Sequence, residues 1–179
     1  MTENKLKINE YTFNDQFYNY LIEYSREADY KWGETEFVLQ TGYLAGTPVK
    51  PSAMVHEIDP SSEVHKHVDE RIKELYPELT GYEPMRMYIN CFAPREYSNF
   101  HTDGNCKTIL VYLADRPWDP SFCGETQFLY EDFSIQGVAP IPNRSIFFDG
   151  MILHKAVAYK EDYRFTLAIK YVSGVAENP

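Results

Sequence analysis

Apolar positions recur along this chain at two different periods, and the change falls near the middle. Over roughly the first eighty residues the spacing is helical. Phe13, Phe17, Tyr20, Leu21 and Tyr24 lie within about 100° of one another on a helical wheel, one wide apolar face that needs a partner surface. A second helix is predicted after Pro60, with Ser61 or Ser62 as N-cap and Glu63 in the first turn. It turns Val64, Val68, Ile72 and Leu75 inward and stops at Pro77. Between the helices, 42–51 is punctuated by Gly and Pro and reads as a loop.

From Met85 onward the period shortens to two. Runs at 85–92, 97–103, 107–114, 125–130, 133–138, 145–148, 152–159 and 163–172 are rich in β-branched and aromatic residues, with turn signals between them. Strands this short and evenly spaced predict a sandwich, barrel or jelly roll. The reading is an α+β fold: a double-stranded β-helix (jelly roll) core over about 85–173, with the helices of about 1–80 packed on one sheet. No linker-like composition divides the chain, so 1–179 is read as one domain.

Composition narrows the class. With 44% apolar residues among 179, there is ample material for a core. A formal charge of −10 removes any general attraction to nucleic acid or anionic membranes. No apolar run approaches the length of a membrane helix, and residues 1–10 lack the pattern of a signal peptide. Cys91, Cys106 and Cys123 are odd in number and contain no C-x-x-C, which fits a reducing compartment, most simply the cytoplasm. Oligomeric state is open.

The chemistry rests on five histidines. His65 and His67 diverge by about 200° on the predicted helix and cannot converge on one ion. His56 is placed in a turn near Glu57 and Asp59, with no metal-binding partner at useful spacing. His101 and Asp103 differ because the run 97–103 reads as extended, where residues two apart share a face. A third ligand must come from elsewhere, and His154 is the only other histidine in the β half. Two histidines and one carboxylate on one face leave coordination positions open, as suits non-haem Fe(II). Arg164, ten residues after His154, shares a strand face with Thr166, Ala168 and Lys170. That face is either solvated or the wall of a pocket, where a guanidinium would need a carboxylate partner.

His101-x-Asp103, His154 and Arg164 resemble the Fe(II)- and 2-oxoglutarate-dependent dioxygenases, in their prolyl 4-hydroxylase-like branch. Further segments share the likeness: Phe92-Ala-Pro94, 108–113 around Tyr112, Cys123-Gly124-Glu125-Thr126, Trp118-Asp119 and 144–149. It covers about 85–172. Three positions depart from the pattern, with Phe92 for Tyr, Arg95 for Gly and Cys123 for the first Gly of a pair.

The resemblance implies iron held by His101, Asp103 and His154, with 2-oxoglutarate chelating it. Arg164, Tyr112 and Thr166 would bind the co-substrate's distal carboxylate. It also implies consumption of O2, release of succinate and carbon dioxide, and hydroxylation of an unactivated C–H bond, with ascorbate as a possible reductant. Related halogenases have a small residue at the position of Asp103, so the aspartate argues for hydroxylation. The substrate is read as a prolyl residue in a protein or peptide, or a free amino acid, with Asn99, Trp118 and Lys170 as candidate contacts. A peptide would need a groove, bounded by residues 32–45 and the loop around Trp118. Two alternatives stand beside this: a non-catalytic jelly-roll binding module, and an AlkB-like nucleic-acid demethylase, which the acidic charge disfavours.

Overall fold

The computed structural model describes residues 6–32 and 53–174. The loop expected over 42–51 and residues 33–45 of the expected groove lie outside them. In chain order the elements are β1 (Lys7–Asn9), α1 (Asp15–Glu27), β2 (Lys31–Trp32), β3 (Met54–Glu57), α2 (Glu63–Leu75), β4 (Tyr82–Phe92), β5 (Lys107–Leu113), β6 (Thr126–Leu129), β7 (Ile135–Val138), β8 (Ser145–Asp149), β9 (Leu153–Ala156) and β10 (Arg164–Ser173). Seven strands form one sheet in the order β1-β8-β5-β10-β4-β3-β2, and three form a second, β7-β6-β9. All pairings are antiparallel. Among the described residues, no helix is long and apolar enough to cross a membrane.

Strand β10 is the centre of the large sheet, between β4 and β5, and it is buried on both faces. One face sends Leu167, Ile169 and Tyr171 into a cluster shared with Leu21 and Ile22 of α1 and Val68 and Ile72 of α2. The other sends Ala168 toward Phe128, Val138, Phe148 and Ile152 on the small-sheet side. The face carrying Arg164 and Thr166 is therefore interior, so the solvated alternative does not hold.

Both helices start where their caps predict. Asn14 accepts from Phe17 N–H at 2.9 Å, and Ser62 accepts from His65 N–H at 3.2 Å. The predicted face of helix α1 does meet the core, through Phe13, Phe17, Leu21 and Tyr24, but it extends to Tyr18, Ile22 and Ser25 and leaves Tyr20 44% exposed. Tyr18 goes inside because its phenol donates to the Ala114 carbonyl at 2.7 Å and accepts from the Ala114 N–H at 3.0 Å. A satisfied hydroxyl lets an aromatic ring enter the core.

The N-terminal half is less helical than expected, since β1, β2 and β3 extend the large sheet at its two edges. His56 sits in β3, not in a turn, where its ring is held by the Tyr24 hydroxyl at 2.8 Å and the Asp29 carbonyl at 3.1 Å. The segment 97–103 is not a strand either. Only His101 pairs, through two bonds of 3.0 Å with the backbone of His154. The Ser98 hydroxyl occupies the Ala156 carbonyl at 2.6 Å, where a further backbone N–H would otherwise bond, so the ladder ends there.

Candidate metal centre

His101 and His154 face each other across that single backbone bridge, and their rings stand 4.5 Å apart, centroid to centroid. Asp103 is brought beside them by its N–H, which donates to the Gly150 carbonyl at 2.7 Å. One ligand atom from each of the three can be chosen so that all lie within 4.8 Å of one another. Nε2 of His154 is 3.6 Å from Asp103 Oδ2, and Nε2 of His101 is 3.9 Å from Oδ1.

Both imidazoles are fixed in one tautomer. His101 donates from Nδ1 to the Asn99 carbonyl at 3.1 Å, and His154 donates from Nδ1 to the Ile152 carbonyl at 2.8 Å. A carbonyl can only accept, so each Nε2 is left with its lone pair facing the aspartate. Burial pulls the His154 pKa down to about 4 against the opposing pull of Asp103, and this keeps the ring neutral. Burial alone would raise Asp103. The interaction with His154, the Lys170 charge, and hydrogen bonds from Lys170 (2.8 Å) and Thr108 (2.6 Å) outweigh it and hold the carboxyl at about 2. Two imidazole nitrogens and a fixed carboxylate are a donor set for a divalent ion such as iron, with the remaining positions open.

Arg164 lies along the same cavity, whose lining also includes Tyr88, Asn90, Phe92, Thr126 and Thr166. It is 1% exposed. Its Nε donates to the Gly124 carbonyl at 2.7 Å and its Nη2 to Thr126 Oγ1 at 3.0 Å, while the Phe92 and Tyr112 rings each lie 5.6 Å from the guanidinium carbon. Neither hydrogen-bond acceptor is charged. Burial lowers its pKa, with Tyr112, Tyr159 and Glu125 opposing. Tyr112 donates to Thr126 Oγ1 at 2.8 Å, with the Val138 carbonyl at 3.2 Å, so Thr126 joins phenol and guanidinium. The Asn90 side-chain oxygen, on the cavity wall, is the one buried side-chain polar atom among the described residues without a partner. A carboxylate-bearing ligand in this cavity would meet a buried cation lacking a carboxylate beside the metal-ligand set, so the residues fit iron with a dicarboxylate.

The three ligand candidates and Arg164, Tyr112 and Thr166 are thus gathered around one site. Asn99 contributes its backbone carbonyl, and Lys170 contacts Oδ1 of Asp103, the oxygen nearer His101. Trp118 is elsewhere. It donates Nε1–H to the Cys123 carbonyl at 2.6 Å and lines a separate cavity of about 290 Å³ with Arg26, Tyr159 and Phe165. Charges on that cavity's wall are mutually paired, Arg26 with Asp115 and Arg116 with Asp162. Thr108, Thr126 and Asn90 were not among the residues picked from the sequence. Thr126 could have been found from the Cys123–Thr126 turn, and Thr108 from its place one alternation before Leu110. Nothing marked Asn90.

The two departures at glycine positions keep glycine's backbone. Arg95 has φ 61°, and Cys123 has φ 61° and ψ −144°. Both are conformations that L side chains rarely adopt. At Gly124 (φ 93°) a methyl would collide with the Tyr159 ring, so this glycine is required where its carbonyl holds Arg164.

No family model matches the sequence, and no curated protein matches it. Solved structures match at the level of fold. A prolyl-4-hydroxylase of Pseudomonas putida superposes with a TM-score of 0.73 at 14% identity, over 94% of this chain and 92% of that one. A Trichoplax adhaerens prolyl hydroxylase, in complex with a hypoxia inducible factor oxygen degradation domain peptide fragment, gives 0.72 at 14%, over 96% and 84%. A 2OG-Fe(II) oxygenase family oxidoreductase of Burkholderia pseudomallei gives 0.68 at 14%, over 96% and 85%. The chain therefore has the jelly-roll fold of the prolyl-4-hydroxylase-like 2-oxoglutarate and Fe(II) oxygenases.

Proposed function

We propose that this protein is a 2-oxoglutarate- and Fe(II)-dependent dioxygenase that hydroxylates an unactivated C–H bond. The observation that carries the reading is the pairing, in one cavity, of a His101–Asp103–His154 triad with a buried guanidinium whose two hydrogen-bond acceptors are both neutral. On this reading His101, Asp103 and His154 hold the iron. Arg164 takes the distal carboxylate of 2-oxoglutarate, with Tyr112 and Thr126 supplying hydroxyls and Thr166 the adjoining wall. The bound iron, with O2, supplies the oxidation, in which 2-oxoglutarate becomes succinate and carbon dioxide and one oxygen atom enters the C–H bond.

The protein's part is geometry and exclusion of water. The backbone carbonyls of Asn99 and Ile152 fix the rings, Thr108 and Lys170 fix the carboxylate, and Tyr88, Phe92 and Leu110 line the cavity with hydrocarbon. A carboxylate at Asp103 favours hydroxylation. The candidate substrates are a prolyl residue in a peptide and a free amino acid.

Carbon dioxide release from 1-labelled 2-oxoglutarate tests the assignment. Wild-type protein with Fe(II) and O2 should release label well above Asp103→Ala, and equal release from the two would refute it.

A further inference from the structure

The site holds one cation beyond those the reaction uses. Lys170 lies six residues past Arg164 on the same face of β10, and its ammonium stands 2.8 Å from Oδ1 of Asp103 with the side chain only 13% exposed. Across the sheet it is in register with Thr108 on β5 and Arg86 on β4. Two cations are thus direct cross-strand neighbours, an arrangement that repels. Both lie over the Tyr88 ring, Arg86 at 3.9 Å and Lys170 at 5.6 Å.

Among the described residues, the anions nearby are committed elsewhere. Glu57 accepts from Arg86 Nε at 2.9 Å, and Asp149 accepts from Lys107 at 2.6 Å. Glu125 acts on Arg164, about 20 Å of strand from Lys170, and accepts from Gln127. That leaves Asp103, the carboxylate assigned to the metal. A dication, Arg164 and Lys170 together exceed Asp103 and a bound dicarboxylate by one positive charge. A desolvated ammonium beside a dication calls for another anion.

We propose that Lys170 anchors a carboxylate of the primary substrate, so that the site takes a small carboxylate-bearing molecule such as a free amino acid and not a prolyl residue within a chain. This rests on the oxygenase reading. It makes Lys170 a specificity-determining residue, and it gives a protein of net charge −10 a locally cationic site for an anion. The same carboxylate chemistry could instead come from the keto-acid end of 2-oxoglutarate, and the experiment separates the two sources.

The test loads the full chain anaerobically with Fe(II) and 2-oxoglutarate. It then titrates L-proline, L-leucine and L-methionine, each beside its α-carboxamide, by calorimetry. At least one acid should bind about tenfold or more tightly than its amide, the size of a charge-assisted hydrogen bond. Lys170→Met should erase that preference and Lys170→Arg keep most of it, with 2-oxoglutarate, read from its charge-transfer band with Fe(II), still bound in both variants and any weakening in Lys170→Met smaller than the loss of acid preference. Absence of an acid preference in wild type overturns the proposal. So does a tenfold loss of 2-oxoglutarate affinity in Lys170→Met with the acid preference intact, which would assign the lysine to the co-substrate. If wild type shows no 2-oxoglutarate band, the oxygenase reading falls, and this inference with it.

Discussion

Replacing Arg164 by leucine separates the two things a buried guanidinium can do, which are to hold the fold together and to hold a ligand. In the ligand-free protein its two hydrogen bonds go to neutral oxygens, on Gly124 and Thr126. Bonds from a charged donor contribute about 1.5–3 kcal/mol each. Against this stands the desolvation of a cation without a carboxylate, at 1% exposure, which costs several kcal/mol. The two nearly cancel. Leucine leaves Thr126 still bonded by the Tyr112 hydroxyl and fills much of the space between the Phe92 and Tyr112 rings. Arg164→Leu should therefore change the stability of the ligand-free protein by no more than about 1 kcal/mol, or roughly 2–4 °C in Tm. With 2-oxoglutarate bound the balance is different, because the variant would bury a carboxylate without its partner. That costs about 3–5 kcal/mol, a loss of roughly 10²-fold to more than 10³-fold in affinity. Calorimetric titration of 2-oxoglutarate into the Zn(II)-loaded protein measures the second effect, and thermal unfolding the first. A variant that loses 3 kcal/mol or more of stability, by about the scale of a broken buried network, yet binds 2-oxoglutarate unchanged would show that Arg164 is structural.

Three smaller predictions follow from the same turn and core. Cys123→Gly should raise urea stability by about 1 kcal/mol, because glycine occupies φ 61° and ψ −144° without strain; a loss of stability would contradict the strain argument. Gly124→Ala should cost about 2 kcal/mol or more and weaken 2-oxoglutarate as well, since the added methyl drives Tyr159 and the Arg164 acceptor apart; an unchanged urea midpoint would refute it. Burial pushes the Cys91 thiol up to about 12 and also raises Cys106, so native alkylation at pH 8 followed by mass spectrometry should label Cys123 and spare the other two.

The strands and the metal-ligand candidates were readable because their signals are local. Alternation in β10 put Arg164, Thr166 and Lys170 on one face, although it could not say that both faces are buried; that depends on a second sheet packing from one side and helices from the other. His101 and Asp103 do come together, but by a different route from the one inferred. They sit on an irregular segment tied to His154 by a pair of backbone bonds and to Gly150 by one, where shared-face logic does not apply. The short strand β3 was hidden because His56 and Glu57 read as polar turn residues, whereas Tyr24 and Asp29, close in space and distant in sequence, hold the imidazole. The apolar face of helix α1 was read correctly at Phe13, Phe17, Leu21 and Tyr24 but not at Tyr20, which is exposed, and the periodicity could not reveal that Tyr18 would be buried with its hydroxyl bonded to the backbone of Tyr112 and Ala114. Thr108, Thr126 and Asn90 escaped because a small polar residue in a strand carries no mark of its function until the side chains around it are known.

The central claim is that one cavity binds ferrous iron and 2-oxoglutarate together. Anaerobic titration of the Fe(II)-loaded protein with 2-oxoglutarate tests it most directly, because a keto acid chelating ferrous iron produces a visible charge-transfer band that neither component gives alone. The account predicts that band in wild type, its loss in His154→Ala, and its appearance only at far higher 2-oxoglutarate concentration in Arg164→Leu. A wild-type protein with confirmed iron loading and no band at saturating 2-oxoglutarate would contradict it.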